Sequence, residues 1–93
     1  MAPQNRAGED ISLRVRRLQY RAAHRGTREL DLLLGPFALA EAADMPEADL
    51  DHFEAFLDEA DTDLQSWLLG ETAAADHHRA LIARILDFKR CSK

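Results

Sequence analysis

Apolar residues recur along this chain at helical spacing, separated by capping and turn signals. In Ile11–His24 the positions Ile11, Val15, Leu18 and Ala22 fall on one face, with Leu13 and Tyr20 beside them. Arg14, Arg16, Arg17 and Arg21 fill much of the remainder. This predicts an amphipathic helix capped by Asp10 or Ser12 and ending near Arg25-Gly26, where glycine permits a left-handed residue. Thr27 then caps a second helix, with Glu29 and Asp31 in its first turn, where the helix dipole favours acids. Its apolar run, Leu30 to Leu34, meets Gly35-Pro36, which predicts one bent helix or two short ones.

Three further helices follow. Asp44 and Glu47 stand at capping-box spacing, with Pro46 in the first turn. Leu50, Phe53, Phe56, Leu57 and Ala60 form the next apolar stripe, with Glu54, Asp58, Glu59 and Asp61 expected on the solvent side. Thr62 and Gln65 repeat the box and open a short helix, Asp63–Leu69, closed by Gly70. The last helix is expected over about Ala73–Lys89, with Leu81, Ile82, Ile85, Leu86 and Phe88 inward. The prediction is an all-α fold, a small compact bundle of about five helices over residues 11–90. Residues 1–10 are expected to be a flexible N-terminus and 91–93 a short tail.

Composition supports that reading. The 93 residues include 14 leucines and 16 alanines, against only seven Val, Ile and Thr combined, a balance that favours helix over strand. So short a chain leaves little room for a deep pocket, which argues against a self-contained cofactor enzyme. No run of 18 apolar residues exists, and the first ten residues resemble neither a signal nor a transit peptide. A soluble bacterial cytoplasmic protein without direct membrane insertion is expected, acting as a monomer.

The net charge of −5 conceals a strong asymmetry: residues 1–28 carry +5, residues 29–76 carry −14, and residues 77–93 carry +4. Two readings stay open. Opposed faces could steer docking on another macromolecule, or the basic ends could fold back and neutralise the acidic middle. The acidic middle disfavours nucleic acid as a partner.

Few residues suggest chemistry. His77 and His78 are adjacent, not at i, i+4, and read with His52 as ordinary surface histidines, so no metal site is expected. The acids from Asp58 to Asp63 lack the spacing and glycine of a calcium loop. Cys91 is a spare thiol near the end of the chain, and no catalytic residue is identified. Trp67 is expected to be half-buried, and Phe53 and Phe56 to lie in the core. The remaining feature is the junction Arg25-Gly26-Thr27-Arg28-Glu29. From spacing alone, a local ion pair of arginine with glutamate and a rigid binding corner weigh equally.

The stretch Arg25-Gly26-Thr27-Arg28-Glu29-Leu30-Asp31 resembles the RGxxE motif of the SdhE family, bacterial relatives of the mitochondrial succinate dehydrogenase assembly factor 2. Phe37, Phe53, Phe56 and Leu57 fit the family's pattern, as does the segment Asp61, Asp63, Leu64, Trp67, Leu68, Gly70. The resemblance covers about residues 11–90. It implies a helical chaperone that binds the flavoprotein subunit of succinate dehydrogenase, with fumarate reductase as a further client. It implies that the chain promotes covalent attachment of FAD to a histidine of that partner and holds no cofactor stably itself. No glycine-rich phosphate loop argues for a direct FAD site. The motif positions Arg25, Gly26 and Glu29 are implied to contact the partner, with Arg28, Asp31, Arg21 and His24 as neighbours. His24 stands where relatives often carry another arginine, which removes a permanent charge from the corner. The competing readings are a small interaction adaptor and an antitoxin-like or nucleic-acid-associated regulator using the basic first helix.

Overall fold

Each helix is set by a local signal and then held by a shared core. The computed structural model describes residues 10–91. Helix α1 spans Ile11–Ala23, α2 Arg28–Glu41, α3 Glu47–Leu57, α4 Asp61–Leu68 and α5 Arg79–Cys91. Short 3-10 turns, Ala42–Asp44 and Asp76–His78, follow α2 and precede α5. The expected flexible start and tail lie outside the described residues, apart from Asp10, which caps α1, and Cys91, which ends α5.

Caps decide the first two helices. The Asp10 carboxylate accepts from the Ser12 amide at 3.2 Å, so Asp10 is the cap. The Thr27 hydroxyl accepts from the Leu30 amide at 3.4 Å. Helix α2 runs unbroken through Gly35-Pro36. Pro36 is exposed and removes one backbone hydrogen bond, but Leu34, Phe37 and Ala38 on either side are buried and keep the turn helical. Gly35 serves packing: a Cβ there would stand 3.3 Å from the Ala23 Cβ, so its absence lets α2 approach the end of α1.

The later starts differ from expectation. Pro46 is the N-cap of α3 and Ala60 that of α4, neither with a side-chain cap bond, so the boxes at Asp44 and Thr62 are not used. The end of α4 follows its signal. Gly70 has φ +77°, its amide donates to the Trp67 carbonyl at 3.2 Å, and the Glu71 amide reaches the Ser66 carbonyl at 2.8 Å. Helix α5 begins six residues later than Ala73, because Ala75 is extended and the chain turns at Asp76–His78 first.

The core joins all five helices. Phe37, Phe53, Phe56, Leu18, Leu30, Leu34, Leu50, Leu57, Leu64 and Ile85 are fully buried. Phe37 meets Phe53 and Phe88 edge-on, each with centroids 5.8 Å apart. Trp67 is half-buried against Phe56, as expected. Ile11, Leu13 and Tyr20 are exposed, so the buried face of α1 is narrower than its apolar residues suggest.

Charged residues complete the interior. Arg14 and Glu54 are both 5% exposed and bond at 3.0 Å, which corrects the expectation that Glu54 faces solvent. Arg14 also pairs with Asp51 at 2.6 Å, and Arg17 with Glu54 at 2.9 Å. Burial works against the Arg14 charge, but the hydrogen bonds and attraction to Asp51 and Glu54 outweigh it and raise its pKa above the ordinary value. His78 is a second correction: it is 1% exposed, with Nε2 at 2.8 Å from the Glu59 carboxylate. His77 and His52 are exposed, as expected.

Candidate functional site

The turn between α1 and α2 projects from a scaffold of ion pairs. Arginines 14, 17, 21 and 25 step along α1 and past its end at spacings of three and four. Asp51, Glu54, Asp58 and Asp61 step along α3 into α4 in the same way. The rungs pair in order: Arg14 with Asp51 and Glu54, Arg17 with Glu54, Arg21 with Asp58 at 2.9 Å, and Arg25 with Asp61 at 2.7 Å. Chain numbers rise together on both sides, so α1 and α3 lie parallel across this ladder. Of the two readings of the charge asymmetry, the one in which a basic end folds onto the acidic middle holds for Arg14, Arg17, Arg21 and Arg25.

Arg25 ends the ladder and is the most constrained residue of the motif. Its Nε donates to Asp61 at 2.7 Å, Nη1 to the Leu57 carbonyl at 2.5 Å and Nη2 to the Glu59 carbonyl at 3.1 Å. Arg21 shares the Leu57 carbonyl at 3.2 Å. The two carbonyls lie at the C-terminal end of α3 and in the loop after it, where carbonyls lack helical partners and positive charge is favoured. The Arg25 amide donates to the Asp31 carboxylate at 2.8 Å, which ties the turn to the first coil of α2. The guanidinium is therefore engaged inside the chain, and the local pair of Arg25 with Glu29 is not formed.

Truncation of Arg25 should consequently act on the fold. Arg25→Ala strands an acid and two carbonyls, at a cost of about 2–4 kcal/mol. The thermal midpoint should fall by roughly 10–25 °C in a circular-dichroism melt. Arg25→Lys should recover only part of this, because one ammonium cannot reproduce the planar fork. A midpoint for Arg25→Ala within about 3 °C of the native chain would contradict this assignment.

The rest of the motif faces outward. Gly26 has φ +102° with nothing within 4 Å of where a Cβ would stand, so the backbone, not crowding, selects glycine. Arg28 and Glu29 are exposed at the start of α2. Among the described residues, neither side chain is held by a hydrogen bond or ion pair. His24 is exposed, stacks on Tyr20 with centroids 4.1 Å apart, and its Nδ1–H donates to the Tyr20 carbonyl at 3.0 Å. The seven expected site residues thus separate in space. Arg21, Arg25 and Asp31 fix the corner, while His24, Gly26, Arg28 and Glu29 form its outer surface.

Sequence reasoning missed two neighbours of that surface. Tyr20 is 65% exposed and Leu32 is 64% exposed, one turn before His24 and one turn after Glu29. The signal was present for Leu32. Leu30, Leu34 and Phe37 already complete the buried face at helical spacing, which turns Leu32 outward.

Comparison with known proteins adds to this geometry. Residues 16–89 match the family model Sdh5, described as the flavinator of succinate dehydrogenase. The chain is 44% identical over 69 residues to the mitochondrial succinate dehydrogenase assembly factor 2 of Mycosarcoma maydis, covering 71% of this chain and 29% of that protein. It is 42% identical over 64 residues to the FAD assembly factor SdhE of Acetobacter pasteurianus, covering 69% of this chain and 59% of that one. Each of these relatives is therefore matched over less than two thirds of its own length. The family model spans the ladder from Arg17, the corner and almost all of α5, and on that extent the chain belongs to the Sdh5 family of succinate dehydrogenase flavinators.

Proposed function

We propose that this chain is an assembly factor that docks on the flavoprotein subunit of succinate dehydrogenase and promotes covalent attachment of FAD to a histidine of that subunit. The observation that carries the reading is the corner itself. Arg28 and Glu29 are exposed and, among the described residues, uncommitted, yet stand on a turn fixed by Arg21, Arg25, Asp31 and Thr27. A preformed charged corner loses little freedom on docking, so its charges are available for a partner at low entropic cost. The names of the relatives, an FAD assembly factor and a succinate dehydrogenase assembly factor, support the same client.

The mechanism is orientation. Exposed His24, Gly26, Arg28 and Glu29 meet the partner, and Arg21, Arg25 and Asp31 keep them in place. Holding the flavoprotein with flavin and histidine correctly placed lowers the barrier without a group of this chain in the reaction. The chain is a binder and not an enzyme. The place of action is the bacterial cytoplasm, and the fumarate reductase flavoprotein is a second client. Among the described residues, no helix is long and apolar enough to cross a membrane.

A nucleic-acid reading loses its basis in the ladder, since Arg14, Arg17, Arg21 and Arg25 already face carboxylates. Docking is tested by gel filtration of the chain with the flavoprotein subunit before flavin attachment. A one-to-one complex is expected, and separate elution at concentrations of tens of micromolar would contradict the proposal.

A further inference from the structure

We propose that Glu59, His77 and His78 form a binding site for one divalent transition ion of the zinc type, where the α3–α4 loop meets the turn before α5. The ligand atoms of these three residues all lie within 4.8 Å of one another. Residues 77 and 78 are neighbours in sequence, and a regular helix would splay their rings about 100° apart. The 3-10 turn brings them together instead, with ring centroids 4.0 Å apart.

The site has a rigid half and a movable half. The His78 ring is held edge-on to Phe56 at 5.3 Å and tilted against Trp67 at 5.6 Å. Its Nε2 already points at the Glu59 carboxylate, 2.8 Å away. The Glu59 carbonyl accepts from Arg25, which anchors the loop that carries the carboxylate. His77 is exposed and supplies the third donor from the solvent side. Zinc bonds of about 2.0–2.2 Å put tetrahedral donors roughly 3.3–3.5 Å apart, so the present spread needs little more than an ångström of closure. An exposed side chain changes rotamer fast enough to provide it.

The donor set chooses the ion. Two imidazoles and one carboxylate suit zinc and its first-row neighbours, whereas calcium and magnesium take oxygen ligands. Three protein ligands leave a fourth position for water. The ion takes the place of the hydrogen bond between the His78 Nε2 and the Glu59 carboxylate, so both atoms turn to it as ligands. Asp76 and Arg79 flank the turn as an exposed pair at 3.3 Å and leave the local charge nearly balanced before Glu59 is counted.

The test uses cobalt(II) with the full chain, free of any histidine tag, near neutral pH. The expected result is the visible absorption of four-coordinate cobalt, saturating at one ion per chain and bleached by added zinc. Losing even an outer-shell partner of a metal costs about 10–100-fold in affinity, so His77→Ala and Glu59→Gln should each lose at least tenfold. Both leave the buried His78 ring in place, and His52→Ala, elsewhere on the surface, should bind as the native chain does. Absence of one-to-one uptake overturns the proposal, as does retention of affinity in either His77→Ala or Glu59→Gln.

Discussion

Glu54→Ala is expected to destabilise the fold by about 3–5 kcal/mol, the usual cost of removing one partner from a buried ion pair. The reason is positional. Glu54 is 5% exposed and accepts from both Arg14 at 3.0 Å and Arg17 at 2.9 Å. Among the described residues, its removal leaves the Arg14 guanidinium, itself 5% exposed, with the outer carboxylate of Asp51 alone. A domain of this size has roughly 5–14 kcal/mol of stability, so the variant should be near the edge of folding. Asp51→Ala provides the contrast. Its side chain is 65% exposed, solvent screens the pair, and the cost should stay below about 1 kcal/mol. Urea unfolding followed by far-ultraviolet circular dichroism checks both. Equal, small losses would mean that the ladder is surface decoration and does not fix the parallel packing of α1 and α3.

Glu29→Ala should show the opposite pattern. The side chain is exposed and, among the described residues, has no hydrogen bond or ion pair to lose. Its favourable position in the first turn of α2 is worth under about 1 kcal/mol, so the unfolding midpoint should barely move. Docking on the flavoprotein should weaken by about thirtyfold, the effect of losing about 2 kcal/mol at an interface hot spot. Titration calorimetry with the flavoprotein reads this directly. The pair of variants Arg25→Ala and Glu29→Ala then separates two causes of one failure. The first loses docking along with its thermal midpoint, and the second loses docking alone. Normal docking by a folded Glu29→Ala chain would remove the outer surface of the corner from the interface.

The parts of this molecule legible in the sequence are those decided within one helical turn. Asp10, Thr27 and Gly70 act through neighbouring amides and carbonyls, so their roles could be read from residue type and spacing. The apolar stripes of α3 and α5 are legible for the same reason. What escaped depends on a distant element. Glu54 looks like a solvent residue of α3 until the arginines of α1 are laid beside it. The matching steps of residues 14, 17, 21 and 25 with 51, 54, 58 and 61 are visible in the sequence only once the two helices are taken as parallel. Gly35-Pro36 predicts one bent helix or two short ones because propensity is local, whereas burial of Leu34, Phe37 and Ala38 is not. The start of α5 moved because burying His78 beside Phe56 and Trp67 fixes a 3-10 turn where three alanines suggested helix.

The candidate site divides along the same line. Composition could mark the corner as charged and tight, and the RGxxE pattern supplied the resemblance. Neither could distinguish the arginine that holds the corner from the residues that face outward. That division follows from the carbonyls of Leu57 and Glu59, which belong to no motif and become acceptors only when α3 ends beside the turn.

The most direct test of the assembly-factor reading is the covalent flavin content of the succinate dehydrogenase flavoprotein, measured as protein-bound flavin fluorescence after denaturation. Flavoprotein matured with the native chain should carry covalent flavin, and flavoprotein matured without it, or with Glu29→Ala, should carry much less. Equal covalent flavin with and without the native chain would contradict the account.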